Sequence, residues 1–330
     1  MNRIKLGYLS GITLTLMVAG VVLFAVHATN AQANNPPPLS DPQANQAANE
    51  ANKVETSQQA LRFDTPTVAS DYINTPAVPL TRASTYVALG DSVAAGLGLP
   101  LVPNATSVDT QCGRSTQGYP YIVAAKLGKT VSNFSCSGAT AGDLFTQQGV
   151  SGSNISPQLS QAYANGVKPE LITVTAGAND VQWSTYIQKC YVTTCGTNAD
   201  TLVANGALVL LQAKLFYMFY EIQNRSGNTP PKVVLTGYYN PLSAQCTSKT
   251  PSLTANEIAW VQSDVTALNQ TIQNVTSRFS FARFAPVDFT NHDLCSASPW
   301  IQGQSDAAPI HPTAVGQNAI AQSVLAAISK

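Results

Sequence analysis

Thr85-Tyr86-Val87-Ala88-Leu89-Gly90-Asp91-Ser92 decides the fold. Its first five residues form a β-branched, aromatic and apolar run that reads as a strand. The run stops at Gly90 and gives way to Asp91-Ser92, residue types that begin helices. A strand feeding a helix in this way belongs to a parallel α/β sheet, whose reactive side chains gather at the carboxyl edge. A serine hydroxyl there is exposed beside helix N–H groups that favour developing negative charge. Taken alone, Gly90-Asp91-Ser92 serves equally well as an ordinary helix cap.

The rest of the chain repeats the pattern. Strand-like runs at residues 86–89, 131–134, 171–176, 233–237 and 283–286 alternate with helix-like stretches at 119–127, 201–223, 255–277 and 313–328. Such alternation predicts a parallel sheet covered on both faces by helices. The second run leads into Ser135-Cys136-Ser137-Gly138-Ala139, the third ends in Gly177-Ala178-Asn179-Asp180, and Ile310-His311-Pro312-Thr313 precedes the last helix. Asn179 by itself is also a common turn residue.

Serine, glycine, asparagine and histidine at strand ends, in this order, resemble the SGNH (GDSL) hydrolase superfamily over roughly residues 85–330. The resemblance implies a flavodoxin-like three-layer α/β/α sandwich with a five-stranded parallel sheet. It also implies an acyl-transfer site in which Ser92 is the nucleophile and His311 the base. The backbone N–H groups of Ser92 and Gly138 and the Asn179 amide would face the oxyanion. Those are the parts acyl transfer needs: a nucleophile, a base to take its proton, and donors aimed at the developing charge.

Of the three histidines, His27 falls in the N-terminal apolar segment and His292 in the polar stretch Asn291-His292-Asp293-Leu294-Cys295, so His311 is the expected base. One departure from the family pattern stands out. The aspartate expected three residues before the histidine, where it would orient the imidazole, is Ala308. Asp306 can reach the ring only if the loop bends. Some secreted relatives use a backbone carbonyl there, so the Ala308 carbonyl and Asp306 are both candidates.

Other chemistries lack their residues. There is no Gly-x-Ser-x-Gly elbow, no phosphate-binding loop and no Gly-x-Gly-x-x-Gly. Two histidines and paired cysteines give no metal-ligand spacing, so neither metal nor cofactor is expected. Charged residues make up 10% of the chain and the formal net charge is zero, which gives no basic surface for nucleic acid.

The N-terminus addresses the compartment. Arg3 and Lys5 precede the apolar run from Ile12 to Val26, and Ala31-Gln32-Ala33 offers a small-residue cleavage site. Residues 1–33 therefore read as a secretory signal. The alternative is an uncleaved anchor, which would place the protein near the outer face of the membrane. Residues 34–82, rich in Ala, Asn, Gln and Pro, read as a flexible linker. Residues 83–330 form the expected hydrolase domain, a monomer.

Six cysteines in a secreted chain suggest three disulfides. Pairing sequence neighbours, the order in the secreted actinobacterial lipase-like relatives that this chain resembles, gives Cys112–Cys136, Cys190–Cys195 and Cys246–Cys295. Val93, Ala94, Ala95, Leu97, Leu99, Trp183, Tyr186, Tyr238 and Tyr239 suit an acyl chain, but suit a packed loop or a sugar face equally. The expected function is a secreted serine esterase or lipase acting on a small-molecule or lipid ester. A carbohydrate acetyl esterase or phospholipase of the same fold is the alternative. A non-catalytic surface-binding protein that retains the fold is the alternative of another class.

Overall fold

The computed structural model describes residues 85–150, 153–249 and 253–330. The expected signal and linker, residues 1–82, lie outside the described residues. From β1 (Tyr86–Gly90) the chain enters α1 (Ser92–Ala95), α2 (Ser107–Cys112) and α3 (Tyr119–Leu127), then β2 (Val131–Asn133). An antiparallel hairpin, β3 (Gln148–Val150) and β4 (Ser153–Ile155), and a short α4 (Gln158–Ala162) lead to β5 (Leu171–Thr175). Then come α5 (Trp183–Val192), α6 (Asn198–Ser226), β6 (Lys232–Thr236), α7 (Cys246–Lys249), α8 (Ala255–Thr276), β7 (Ala282–Ala285) and α9 (Ala314–Ile328).

The main sheet has strand order β2-β1-β5-β6-β7 and every pairing is parallel. β1 and β5 are buried at every position, so both faces of the sheet are covered. That burial explains why these runs are continuously apolar or β-branched rather than alternating. α3 and α9 pack together and reach β2, β6 and β7; α6 and α8 form the other pair. The protein is thus α/β, a five-stranded parallel sheet between helices. Hydroxyls inside this core satisfy one another: Tyr86 with Thr173 at 2.9 Å, Tyr119 with Thr175 at 2.9 Å, and Thr175 with Thr236 at 2.7 Å.

The five strands fall where the sequence predicts them, with ends moved by a residue or so. The expected helix at 201–223 starts earlier and ends later. Thr197 caps it by accepting from the Asp200 N–H, and Asp200 Oδ2 accepts in return from the Thr197 N–H. Within the aromatic run of that helix, Leu215, Met218 and Phe219 are buried while Tyr217 and Tyr220 are exposed. The hairpin strands, three residues each, are too short to leave a readable period.

Candidate active site

At the carboxyl end of β1 the backbone lies tight against β5, where Gly90 pairs with Thr175. Gly90 has φ +127°, and a Cβ there would lie 2.1 Å from the Thr175 carbonyl oxygen. No side chain fits, so the chain can turn sharply beside β5 only with glycine. The Gln158 side chain grips this peptide from both sides: the Gly90 N–H donates to its Oε1 at 2.7 Å, and its Nε2 donates to the Gly90 carbonyl at 2.9 Å. Asp91 then caps the one-turn helix by accepting from the Val93 N–H at 2.9 Å. Ser92 is the first residue of that helix, where backbone N–H groups have no intrahelical partner.

Ser92 Oγ lies 2.8 Å from His311 Nε2. The Nδ1 of the same ring lies 3.0 Å from the Pro309 carbonyl oxygen. A carbonyl can only accept, so Nδ1 carries the hydrogen and Nε2 presents its lone pair to the serine hydroxyl. Burial lowers the His311 pKa, and the Pro309 and then the Ala308 carbonyl act in the opposite direction. The net shift is downward, which keeps the imidazole neutral and able to accept a proton.

The partner of Nδ1 therefore differs from the expectation. Asp306 is turned away: its Oδ2 accepts from the Gly303 N–H at 2.7 Å and closes an exposed turn. The Ala308 carbonyl accepts from the His311 N–H at 3.2 Å and adds a secondary influence on the ring. Pro309 takes the place beside Nδ1 because a tight bend separates it from the histidine. Ile310, between them, has φ +65°. His292 sits elsewhere, stacked on Trp300 at 3.7 Å with Nδ1 against the Ser298 carbonyl at 2.7 Å.

Gly138 has φ +78°, and the space a Cβ would enter is open except for Gln148 Nε2 at 3.8 Å. Glycine is needed here for the backbone turn. Gln148 Nε2 also donates to the Ser137 carbonyl at 2.8 Å and steadies the turn. Asn179 Nδ2 donates to the Ala139 carbonyl at 2.8 Å, which fixes the amide and leaves its second N–H free to donate elsewhere. Asp180 braces both loops. Its Oδ2 accepts from the Ala141 N–H and its Oδ1 from Lys214 Nζ, at 2.7 and 2.6 Å.

Ser92, Gly138, Asn179 and His311 line one cavity of about 150 Å³, together with Val93, Leu97, Ala178, Trp183 and Ile310. Among the aromatics offered for an acyl chain, Trp183 reaches the cavity. Tyr238 and Tyr239 are buried and do not line it, and Tyr186 packs edge-on against Trp260. Disulfides join Cys112 to Cys136, Cys190 to Cys195 and Cys246 to Cys295. The first ties the end of α2 to the segment leading into Gly138. Among the described residues, Cys246, Asp293 and Cys295 bring potential ligand atoms within 4.8 Å of one another, but the two sulfurs are bonded to each other.

Several residues that build this site carry no sequence motif. Gln302 is one: its Oε1 accepts from the Ala308 N–H, and its Nε2 donates to the Leu97 and Pro312 carbonyls, tying the histidine loop to the nucleophile side. Gln317 on α9 is another, donating to the Val93 carbonyl and accepting from the Tyr119 N–H. A buried glutamine with two or three backbone partners is the only signal, and it appears only once the fold is known.

Known proteins match this chain over the same region. The model of the GDSL-like Lipase/Acylhydrolase family matches residues 88–319. "Lipase 2" of Streptomyces coelicolor is 30% identical over 269 residues, covering 72% of this chain and 83% of the relative. "Lipase" of Streptomyces rimosus is 28% identical over 251 residues, covering 73% of this chain and 85% of the relative. The crystal structure of an extracellular lipase from Streptomyces rimosus superposes with a TM-score of 0.59 at 26% identity, covering 74% of this chain and all of that one. With the strand order, the β1 turn and the serine–histidine contact, these matches place the chain in the GDSL-like lipase/acylhydrolase family, as an ester hydrolase.

Proposed function

We propose that the protein is a secreted serine esterase that cleaves esters of short acyl chains through a Ser92–His311 dyad, without metal or cofactor. The observation that carries this is the 2.8 Å contact between Ser92 Oγ and a histidine nitrogen left unprotonated by the carbonyl on its other side. Ser92 Oγ attacks the ester carbonyl carbon as its proton passes to His311 Nε2. The oxyanion accepts from the Ser92 and Gly138 N–H groups and from Asn179 Nδ2. The bond to the leaving oxygen breaks as His311 returns the proton to it. Water, deprotonated by His311, then attacks the acyl-serine, and the carboxylic acid leaves as Ser92 regains its proton.

Cavity size supports the acyl preference. A cavity of about 150 Å³ takes an apolar group about the size of a benzene ring. Its apolar lining (Val93, Leu97, Ala178, Trp183, Ile310) suits hydrocarbon. Three disulfides fit an oxidising compartment, and an extracellular lipase is among the similar proteins. Both support secretion; residues 1–33 as the signal and 34–82 as a linker are part of the same proposal and rest on the sequence alone. Against the binding-protein alternative stands the Ser92–His311 contact, which binding alone does not need; the missing acid at Ala308 is what favours it.

The test is hydrolysis of p-nitrophenyl esters of increasing chain length, with acetylated sugars and phospholipids alongside, by wild type and Ser92→Ala. A maximum at short acyl chains that is lost in Ser92→Ala supports the proposal. Cleavage of acetylated sugars or phospholipids in preference to the simple esters moves the substrate to that class, and activity that survives in Ser92→Ala ends the serine reading.

A further inference from the structure

We propose that the consecutive tyrosines Tyr238 and Tyr239 form one positioning element that sets Ser92 and His311 against each other. The inference rests on the Ser92–His311 reading above and deepens it. Both tyrosines lie just past β6 and are 1% exposed. Tyr238 OH donates to Asp91 Oδ2 at 2.6 Å, across 147 residues of sequence. Tyr239 OH donates to the Ile310 carbonyl at 2.6 Å, across 71 residues. One dipeptide thus holds the cap of the helix that begins with Ser92 and the peptide that begins His311.

The base of this element is anchored on two sides. Asn269 on α8 grips the Tyr238 backbone from both sides: the Tyr238 N–H donates to Oδ1, and Nδ2 donates to the Tyr238 carbonyl, each at 2.7 Å. Trp183 packs against both rings, at 5.9 and 5.5 Å, and Tyr239 stacks on Phe289 at 4.5 Å. Burial raises both phenol pKa values well above the ordinary 10.0, so both hydroxyls keep the hydrogen they donate.

The need for such an element follows from the histidine loop. His311 Nδ1 rests on a main-chain carbonyl, so the ring is only as well placed as the loop backbone. That backbone includes Ile310, a β-branched residue at φ +65°, a conformation that persists only when its surroundings enforce it. The Ile310 N–H donates to the Gln302 carbonyl at 2.9 Å, and the Tyr239 hydroxyl holds the Ile310 carbonyl at the other end of the residue. On the serine side, Asp91 divides its carboxylate between the Val93 N–H and Tyr238 OH, so the helix start is oriented by the other tyrosine of the pair.

The experiment compares Tyr238→Phe and Tyr239→Phe with Tyr86→Phe in the full chain with intact disulfides. Tyr86→Phe removes another buried hydroxyl, bonded to Thr173 inside the sheet, and is the control for loss of stability. The readouts are kcat and KM for p-nitrophenyl butyrate and the rate at which a fluorophosphonate modifies Ser92. The proposal expects kcat and modification rate to fall about ten- to hundredfold in both tyrosine variants, because a small misplacement of reacting groups costs that much. KM stays near the wild-type value, and Tyr86→Phe keeps wild-type kcat. Folded Tyr238→Phe and Tyr239→Phe variants with the kcat of Tyr86→Phe would overturn it. Should Tyr239→Phe fail to fold, Tyr238→Phe alone reads the same claim on the serine side. A wild type that neither hydrolyses the ester nor is modified at Ser92 overturns the serine reading beneath it instead.

Discussion

The imidazole of His311 leans on the main-chain carbonyl of Pro309, 3.0 Å from Nδ1, while the nearest acidic candidate in sequence, Asp306, bonds the Gly303 N–H instead. A carbonyl fixes the tautomer as an aspartate does, but carries no full charge to stabilise the imidazolium. Asp306→Asn should therefore leave kcat/KM near wild type, with at most a small loss of stability from the turn at Gly303. A loss of a hundredfold or more, of the size seen when a triad acid is replaced, would show that Asp306 reaches the ring during turnover.

The pH profile follows from His311. Its pKa lies below the ordinary 6.5 because burial disfavours the charged ring. The dyad needs the neutral ring, so activity should persist on the acid side of 6.5 and the acid limb of kcat/KM should fall below it. A limb at or above 6.5, measured on p-nitrophenyl butyrate with a pH-independent readout, would contradict this.

Stability has a separate pH signature. Burial pushes the Asp91 carboxyl up to about 7, against the lowering effect of Tyr238 OH and the Val93 N–H. Between roughly pH 4 and pH 7 the folded chain keeps a proton there that the unfolded chain has released, so stability from Asp91 falls as pH rises through that window. Asparagine keeps the cap and cannot ionise. The difference in unfolding free energy between Asp91→Asn and wild type should therefore shift in favour of the variant from pH 4 to pH 7 and level off above. A flat difference across that range would refute the assignment.

Asn179→Ala should lower kcat by about 10²–10³ with little change in KM, the usual loss for one oxyanion donor. The amide is already held by the Ala139 carbonyl, so little reorganisation accompanies catalysis. Equal effects on kcat and stability would instead make Asn179 a loop brace.

Opening the Cys112–Cys136 disulfide by the double change to alanine should cost about 2–4 kcal/mol in unfolding free energy. It should also lower activity, because Ser137 Oγ and N–H both donate to the Cys112 carbonyl and carry the Gly138 turn with them. Chemical denaturation and ester hydrolysis on the same preparation separate the two effects. Loss of stability with unchanged kcat would place the disulfide outside the site's support.

The strands and the four cavity residues were legible because their signals are local. A β-branched run ending in glycine marks a strand edge wherever it occurs, and Ser92, Gly138, Asn179 and His311 each follow such an edge or precede a helix. The partner of His311 was not legible, since it depends on a left-handed Ile310 that nothing in Ala308-Pro309-Ile310-His311 announces. Gln158, Asp180, Tyr238 and Tyr239 were missed as supports for a related reason. Each acts on main-chain or carboxylate atoms far along the chain, as Gln158 does on Gly90, and residue type alone does not name such partners. Tyr238 and Tyr239 show the cost directly: aromatic character suggested cavity wall, whereas their hydroxyls face the loops that hold it.

The most direct test of the Ser92–His311 pair is covalent modification by a fluorophosphonate, read by peptide mass spectrometry on the intact, disulfide-bonded protein. Ser92 should be the one modified residue, with the rate lost in His311→Ala and unchanged in Asp306→Asn. Modification at another serine, or an undiminished rate in His311→Ala, would contradict it.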